Sequence, residues 1–486
     1  MTRLIVILLA TWCGLAAPSW AHPDHWPQGT APWDTASDWP DRIIMTPADD
    51  PATTLTLVWR TSATVSESVA ELAPATAAAQ PDLASHARNA RIERVDLDQV
   101  AGGYGRPVTR NFGRGPVHYH TVTFRNLQPD TPYLYRVRGA RGHWSEWFQV
   151  KTAPQSGPVT FLYYGDAQRG VHSHWSRIIR QGLLTAPEAE FVLHAGDLVN
   201  QGDRDTEWAE WHAAGGFFHA MRNVIPVAGN HEYTSTGPGG YRNGEGAVTA
   251  LWRPQFTLPE EEGLPDALVE TVYDVRYTQD LHIFVLDSSS PDWDAQLDWF
   301  DETARASDAR WKIVSMHHSP FRPGGANNPT LVERRDSFVR LARRHDVAMV
   351  LAGHNHSYTR ASFGTGMTAR TLLGEARDVE MVIAVSVSGG MTGRGTGPAY
   401  MESNHALADE LTVDRWGNNT PTFQSIRIDG DQLVYTAYTA LGQAYDAFTL
   451  TRDADGNLRL VDGEAAFGDI RQLETTEPYA GNDHLR

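Results

Sequence analysis

The hydrophobic pattern changes period near residues 151–158, and that change constrains the fold more than any other feature. Before it, short runs alternate apolar and polar residues with period two, as in Thr54-Leu55-Thr56-Leu57-Val58-Trp59 and from His118 to Phe124. Such alternation puts one strand face on a core and the other on solvent, as in an antiparallel sandwich. After it, apolar runs of strand length take turns with helical periodicity. Residues 159–164, 190–194, 224–227, 283–286, 312–316 and 347–351 read as strands buried on both faces. Residues 175–184, 203–222, 294–306 and 331–345 read as helices. Together they specify an α/β, layered αββα sandwich behind an all-β domain. Period two returns past residue 421, where 425–428, 432–438 and 447–450 read as closing strands.

The predicted organisation has five parts and a short linker. Residues 1–21 form a signal peptide: Arg3, an apolar run from Leu4 to Ala17, and a small-residue cleavage site after Ala21. Residues 22–41, rich in Pro, Trp and Asp, read as an extended arm. The all-β domain covers 42–153, with an Ala- and Gly-rich stretch at 71–105 expected to loop out of it. Pro154, Ser156, Gly157 and Pro158 make a linker, the α/β domain covers 158–452, and 453–486 is a polar tail. The expected location is therefore periplasmic or secreted. No other apolar stretch reaches the ~18–20 residues of a membrane span.

Composition narrows the chemistry. With 41 basic and 59 acidic side chains the net charge is −18, which argues against nucleic acid as a partner. The single cysteine, Cys13, lies inside the leader. The mature chain then has neither a disulfide nor a thiolate metal site. Any metal must be held by the 20 histidines, by carboxylates or by amide oxygens.

Five polar motifs follow apolar strands: Gly165-Asp166-Ala167-Gln168, Gly196-Asp197-Leu198-Val199-Asn200, Gly229-Asn230-His231-Glu232, Val314-Ser315-Met316-His317-His318 and Gly353-His354-Asn355-His356. Singly, each is a turn or a helix cap. Jointly, they place carboxylates, an amide and imidazoles beyond the carboxyl ends of strands, where open α/β sheets bind ligands. Such a set can hold two metals with one carboxylate between them.

The five motifs resemble those of the calcineurin-like metallophosphoesterase superfamily. The stretch Leu127-Gln128-Pro129-Asp130-Thr131-Pro132-Tyr133-Leu134-Tyr135-Arg136-Val137 resembles the fibronectin type III pattern, with Trp59 as its core tryptophan. That pairing of domains resembles the purple acid phosphatases. Other matching stretches are Trp252–Pro259, Tyr273-Asp274-Val275, Leu286-Asp287-Ser288, Gln296-Leu297-Asp298-Trp299 and Tyr445–Leu450, and the likeness spans roughly residues 40–452. The resemblance implies two metal ions, iron with zinc, manganese or magnesium. Asp166 and His356 would bind the first, Asp197 would bridge, and Asn230, His317 and His354 would bind the second. His231 would protonate the leaving oxygen after a hydroxide activated by the metals attacks phosphorus. The implied partner is a small phosphate-ester substrate, a monoester by likeness to acid phosphatases. A phosphodiesterase or nucleotide hydrolase, or an exported binding protein with a degenerate site, is the alternative.

The sequence departs from the family at the first metal. Asn200 stands where the family has a tyrosine, and Gln168 stands where other branches have a histidine. The protein is expected not to be purple. Gln168, Asn200 or water would fill the position. His318 competes with His317 as ligand, or lies behind it. His194 is expected to be packed and hydrogen-bonded near the site, His118 and His120 to be structural, and His212 and His219 to divide between core and surface. Residues 234–265 and 361–420 are expected to rim the pocket as loops. Arg322, Arg360 and Arg394 are candidate phosphate contacts.

Overall fold

The structure is a computed structural model that describes residues 33–47, 50–100, 111–233, 247–321, 329–364, 376–390, 411–417 and 420–463. The predicted leader lies outside them, as do Arg322 and Arg394.

Alternation within one strand shows how the α/β layers assemble. In Leu281–Leu286, Ile283 and Val285 pack into one core with Phe161, Leu193 and Ile225. Phe284 and Leu286 pack into a second core with Trp293, Phe300 and Phe338 of the helices Trp293–Ala306 and Pro329–Arg344. The helices Ser176–Thr185 and Asp205–Met221 cover the first sheet's other face through Ile178, Ile179, Trp208 and Trp211. Val159–Tyr164 is buried at all six positions. Each large apolar side chain so buried contributes roughly 1.5–3 kcal/mol.

The smaller sheet has seven strands, with Leu281–Leu286, Trp311–His318, Val347–Gly353 and Met381–Val385 running parallel at its centre. The larger has twelve. Its centre is the parallel set Val159–Tyr164, Phe191–His194 and Asn223–Pro226. Parallel order brings the carboxyl ends of these strands to one edge, where the five motifs emerge.

The all-β domain is a sandwich of Asp41–Thr46, Leu55–Ser62, Pro116–Phe124 and Arg91–Asp96 against His86–Asn89, Val69–Pro74, Pro132–Val137 and Phe148–Lys151. Trp59 is fully buried between them, its Nε1 donating to Arg138 O at 3.1 Å. The Tyr133 hydroxyl accepts from the Gln128 N–H at 3.0 Å, closing a tyrosine corner. The domain is joined to the α/β domain as well as tethered to it. Met45 pairs in parallel with Asn223, so the twelve-stranded sheet runs through both. Beside that seam Asp205 accepts from Arg42 at 2.7 Å, Arg114 at 2.8 Å and Arg60 at 3.4 Å. Burial would raise the Asp205 carboxyl, but the three guanidiniums hold it down at about 2.

Several expectations are corrected. The stretch at 71–105 does not loop out: its described part supplies Val69–Pro74, His86–Asn89 and Arg91–Asp96 to the sandwich. Residues 33–40 form turns rather than an extended arm, and Asp34 pairs with Arg114. The tail begins later than 453, because Leu458–Asp462 pairs with Ala444–Arg452. Residues 361–420 are not simply rim loops. Their described part completes Tyr358–Phe363 and holds Ala376–Val379, Met381–Val385 and Leu411–Gly417. Trp252 in the expected rim 234–265 is fully buried.

Candidate metal centre

Local backbone brings the motif side chains together. Gly196 has φ +86° and packs so closely on the His317 ring that a Cβ would overlap it. A Cβ on Gly353 would strike Asp166 Oδ1. Asp197 and His354, both non-glycine, sit in the left-handed region at φ 50° and 68°. Such conformations cost of order 1–3 kcal/mol and persist where surrounding structure enforces them. Part of that enforcement comes from Glu232. Its carboxylate is fully buried and accepts the backbone N–H groups of Asp197 at 2.9 Å, Val199 at 3.2 Å and Gly229 at 2.8 Å. Sequence reading gave Glu232 no role, although it closes the Gly-Asn-His-Glu motif.

The site divides into two donor groups that meet at Asp197. In one, His317 Nε2 lies 3.1 Å from both Asn230 Oδ1 and Asp197 Oδ2, and His354 Nδ1 lies 2.9 Å from Asn230 Oδ1. In the other, His356 Nε2 lies 3.2 Å from Asp166 Oδ2, and the Gln168 amide nitrogen lies 3.0 Å from Asp197 Oδ2. The His317 Nδ1–H donates to Ala195 O at 2.9 Å, which turns Nε2 inward toward Asp197 and Asn230. Donors spaced about 3 Å apart match the edges of a coordination polyhedron with ~2.1 Å metal–ligand bonds. The donor set therefore fits divalent cations: carboxylate, amide and imidazole, with no thiolate.

Electrostatics agree with a cation site. Burial opposes a charged His317, yet Asp197, by charge and hydrogen bond, and Asp166 push its imidazole up to about 9. Burial and the charge of Asp197 push the Glu232 carboxyl up to about 8. A bound cation would neutralise the clustered negative charge that raises both.

His231 stands apart from these donors. Its backbone N–H donates to Asp197 Oδ1 at 2.9 Å, and its Nδ1–H donates to Asn200 O at 2.6 Å. Nε2 is left 3.8 Å from Asp197 Oδ2, on a side chain 19% exposed. His318 has Nδ1 3.0 Å from Ser288 Oγ, and its ring packs 4.2 Å from that of His354.

Three site expectations change. Arg360 is not a phosphate contact: it is fully buried and paired with Asp446 at 2.8 Å and Asp462 at 2.7 Å. His194 is packed but not hydrogen-bonded, because neither ring nitrogen has a hydrogen-bond partner among the described residues. His212 and His219 are both buried, so neither is a surface group. A group that sequence reading missed is Arg169, whose Nε donates to Asn200 Oδ1 at 3.0 Å beside the site.

Residues 159–358 match the calcineurin-like phosphoesterase family, and residues 40–152 match the N-terminal domain of purple acid phosphatases. Purple acid phosphatase 21 of Arabidopsis thaliana is 26% identical over 258 residues, covering 51% of this chain and 54% of that protein. A probable cyclic nucleotide phosphodiesterase of Rhodococcus erythropolis is 32% identical over 209 residues, covering 41% and 60%. The chain spans about half the length of the first curated relatives it matches. Among solved structures, a purple acid phosphatase from yellow lupin (Lupinus luteus) seeds aligns with a TM-score of 0.67 at 17% identity, covering 86% of this chain and 75% of that one. The structure of PhoD aligns with a TM-score of 0.60 at 12% identity, covering 87% and 92%. These structural likenesses show the fold.

Proposed function

We propose that this chain, which joins a calcineurin-like phosphoesterase domain to a purple acid phosphatase N-terminal domain, is an exported two-metal hydrolase of phosphate monoesters. The observation that carries the reading is the Asp197 carboxylate, shared at 3.0–3.1 Å between the His317–Asn230 group and the Gln168 end of the other group. Asp166, Asp197 and His356 would hold one cation, and Asp197, Asn230, His317 and His354 the other. Two cations so held neutralise phosphate charge and lower the pKa of water enough to supply a nucleophile at neutral pH. Oxygen-rich donors favour iron, manganese or magnesium over zinc.

The chain's own part in the reaction centres on His231. Donation from Nδ1 to Asn200 O fixes the ring, so that Nε2 faces the site. From there it can stabilise the developing negative charge and pass its proton to the leaving oxygen. Glu232 keeps the Asp197 and Asn230 loops in register throughout, as the buried acceptor of three backbone N–H groups.

Export is supported by the charged, apolar and small-residue pattern of residues 1–21. Among the described residues no helix is long and apolar enough to cross a membrane. Mass spectrometry of protein recovered outside the cytoplasm should give an N-terminus at His22.

The substrate test compares p-nitrophenyl phosphate with its bis-ester. The reading expects kcat/KM for the monoester to exceed that for the diester at least about tenfold, or ~1.4 kcal/mol. A diester preference would overturn it in favour of phosphodiesterase activity, which the similarity to the Rhodococcus protein supports.

A further inference from the structure

We propose that Gln168 supplies the missing protein donor at the first metal, through its side-chain carbonyl oxygen. This rests on the two-metal reading above. The chain has two residues that could replace the absent tyrosine or histidine, and their surroundings differ. Asn200 occupies the tyrosine position, but its Oδ1 accepts from Arg169 Nε at 3.0 Å, and its backbone carbonyl accepts from His231. It is engaged in orienting Arg169 and His231. Gln168 is fully buried, and its amide ends among the other donors of the first site. The terminal nitrogen lies 3.0 Å from Asp197 Oδ2, 3.0 Å from His356 Nε2 and 3.4 Å from Asp166 Oδ2.

Those separations are the spacing of neighbouring ligands, not of a ligand and a cation. The end of the Gln168 side chain therefore stands at a corner of the donor set and not at its centre. A primary amide has two ends of nearly equal size, and a half-turn about its last bond exchanges them. In the structure the NH₂ end donates to the two carboxylates, while Oε1 is buried without a hydrogen-bond partner among the described residues. A cation between Asp166, Asp197 and His356 repels the NH₂ end and attracts the carbonyl. The half-turn then gives the orphaned oxygen a partner and completes the site.

Two consequences follow. Gln168 is neutral where a tyrosinate is anionic, so the first site carries one negative charge fewer and favours divalent over trivalent iron. Cation entry also displaces the hydrogen bonds from the amide to the carboxylates, and we assign the weaker of the two binding steps to this site.

Titration of the metal-free chain with Mn²⁺, followed by calorimetry and electron paramagnetic resonance, tests the assignment. The expected wild-type result is two equivalents in two separable steps. Gln168→Ala should weaken the weaker step by about 10–100-fold, the range for loss of a group supporting a metal. The tighter step should be unchanged. Gln168→His, which restores a neutral donor, should recover the weaker step. Asn200→Ala should leave both steps in place. An unchanged weaker step in Gln168→Ala overturns the proposal. So does a wild type that binds one equivalent and a Gln168→Ala variant that binds two, since the amide would then stand in for the cation. If Gln168→Ala melts below the assay temperature, Gln168→His against wild type decides. Two bound metals without ester hydrolysis would instead refute the proposed activity and leave this assignment standing.

Discussion

His317 and His194 are equally buried, at 0% and 1% exposure, and stand in opposite states. Asp197 lies 3.1 Å from His317 Nε2 and holds that ring toward its charged form, pushed up to about 9. His194, three residues before Asp197 in the chain, lies among Tyr164, Trp175, Trp211 and His219. Burial, with the charge of His219 adding to it, pushes His194 well down, and burial holds His219 down at about 3. Depth therefore does not make a histidine a metal donor. What distinguishes the two groups is an oxygen placed within reach of each lone pair, which the donor edge has and the tryptophan cluster lacks.

The largest effect should come from removing the carboxylate that makes the difference. Asp197→Ala is expected to lower kcat on p-nitrophenyl phosphate at least about 10³-fold, or ~4 kcal/mol. Metal content should fall with it. Full activity with two bound metals would show that the donor edge works without its shared carboxylate. His231→Ala should cost about 10²–10³ in kcat, within the usual range for a general acid. Its metal content should stay at two equivalents, and a parallel loss of metal would make His231 a ligand instead.

The tryptophan cluster is tested through pH. A histidine kept neutral by the fold gives stability that is complete above the unfolded value near 6.5 and is lost as pH falls toward 3. The slope is ~1.4 kcal/mol per pH unit for each such group. His120, also buried and held down at about 3, adds to this loss, as do His194 and His212. His219→Leu removes one contributor and two unpartnered ring nitrogens. Urea unfolding at pH 7 and pH 5 should show the variant losing ~2 kcal/mol less than wild type on acidification. Equal losses would mean that His219 titrates normally. A smaller effect is expected for Glu232→Gln, which keeps one acceptor oxygen but opposes an NH₂ to a backbone N–H. Mn²⁺ affinity should drop about tenfold while the fold persists, and an unchanged affinity would deny Glu232 its bracing role.

Much of the site was legible because its chemistry is local. A glycine before each acidic or amide residue, at the end of an apolar strand, marks a turn that presents a side chain beyond the sheet. The parallel core strands were legible for a similar reason: residues 159–164 and 347–351 are apolar at nearly every position. The strands Tyr358–Phe363 and Leu411–Gly417 were hidden by polar residues whose partners lie elsewhere in the fold. Arg360 looks like a surface group until Asp446 and Asp462 arrive from strands 86 and 102 residues away. Arg42, Arg60 and Arg114 likewise converge on Asp205, in the other domain.

The sequence by itself determined the donor types, because the single cysteine, Cys13, lies outside all five motifs, which offer only nitrogen and oxygen ligands. It also determined the order of the motifs and the alternation that separates two domains. Tertiary structure alone decided which histidines keep company with carboxylates, that the two domains share one sheet, and that Gln168 rather than Asn200 turns toward Asp166 and His356. Donor identity is a property of one residue. A 3 Å edge between Gln168 and His356 spans 188 residues of chain and exists only once both sheets have packed.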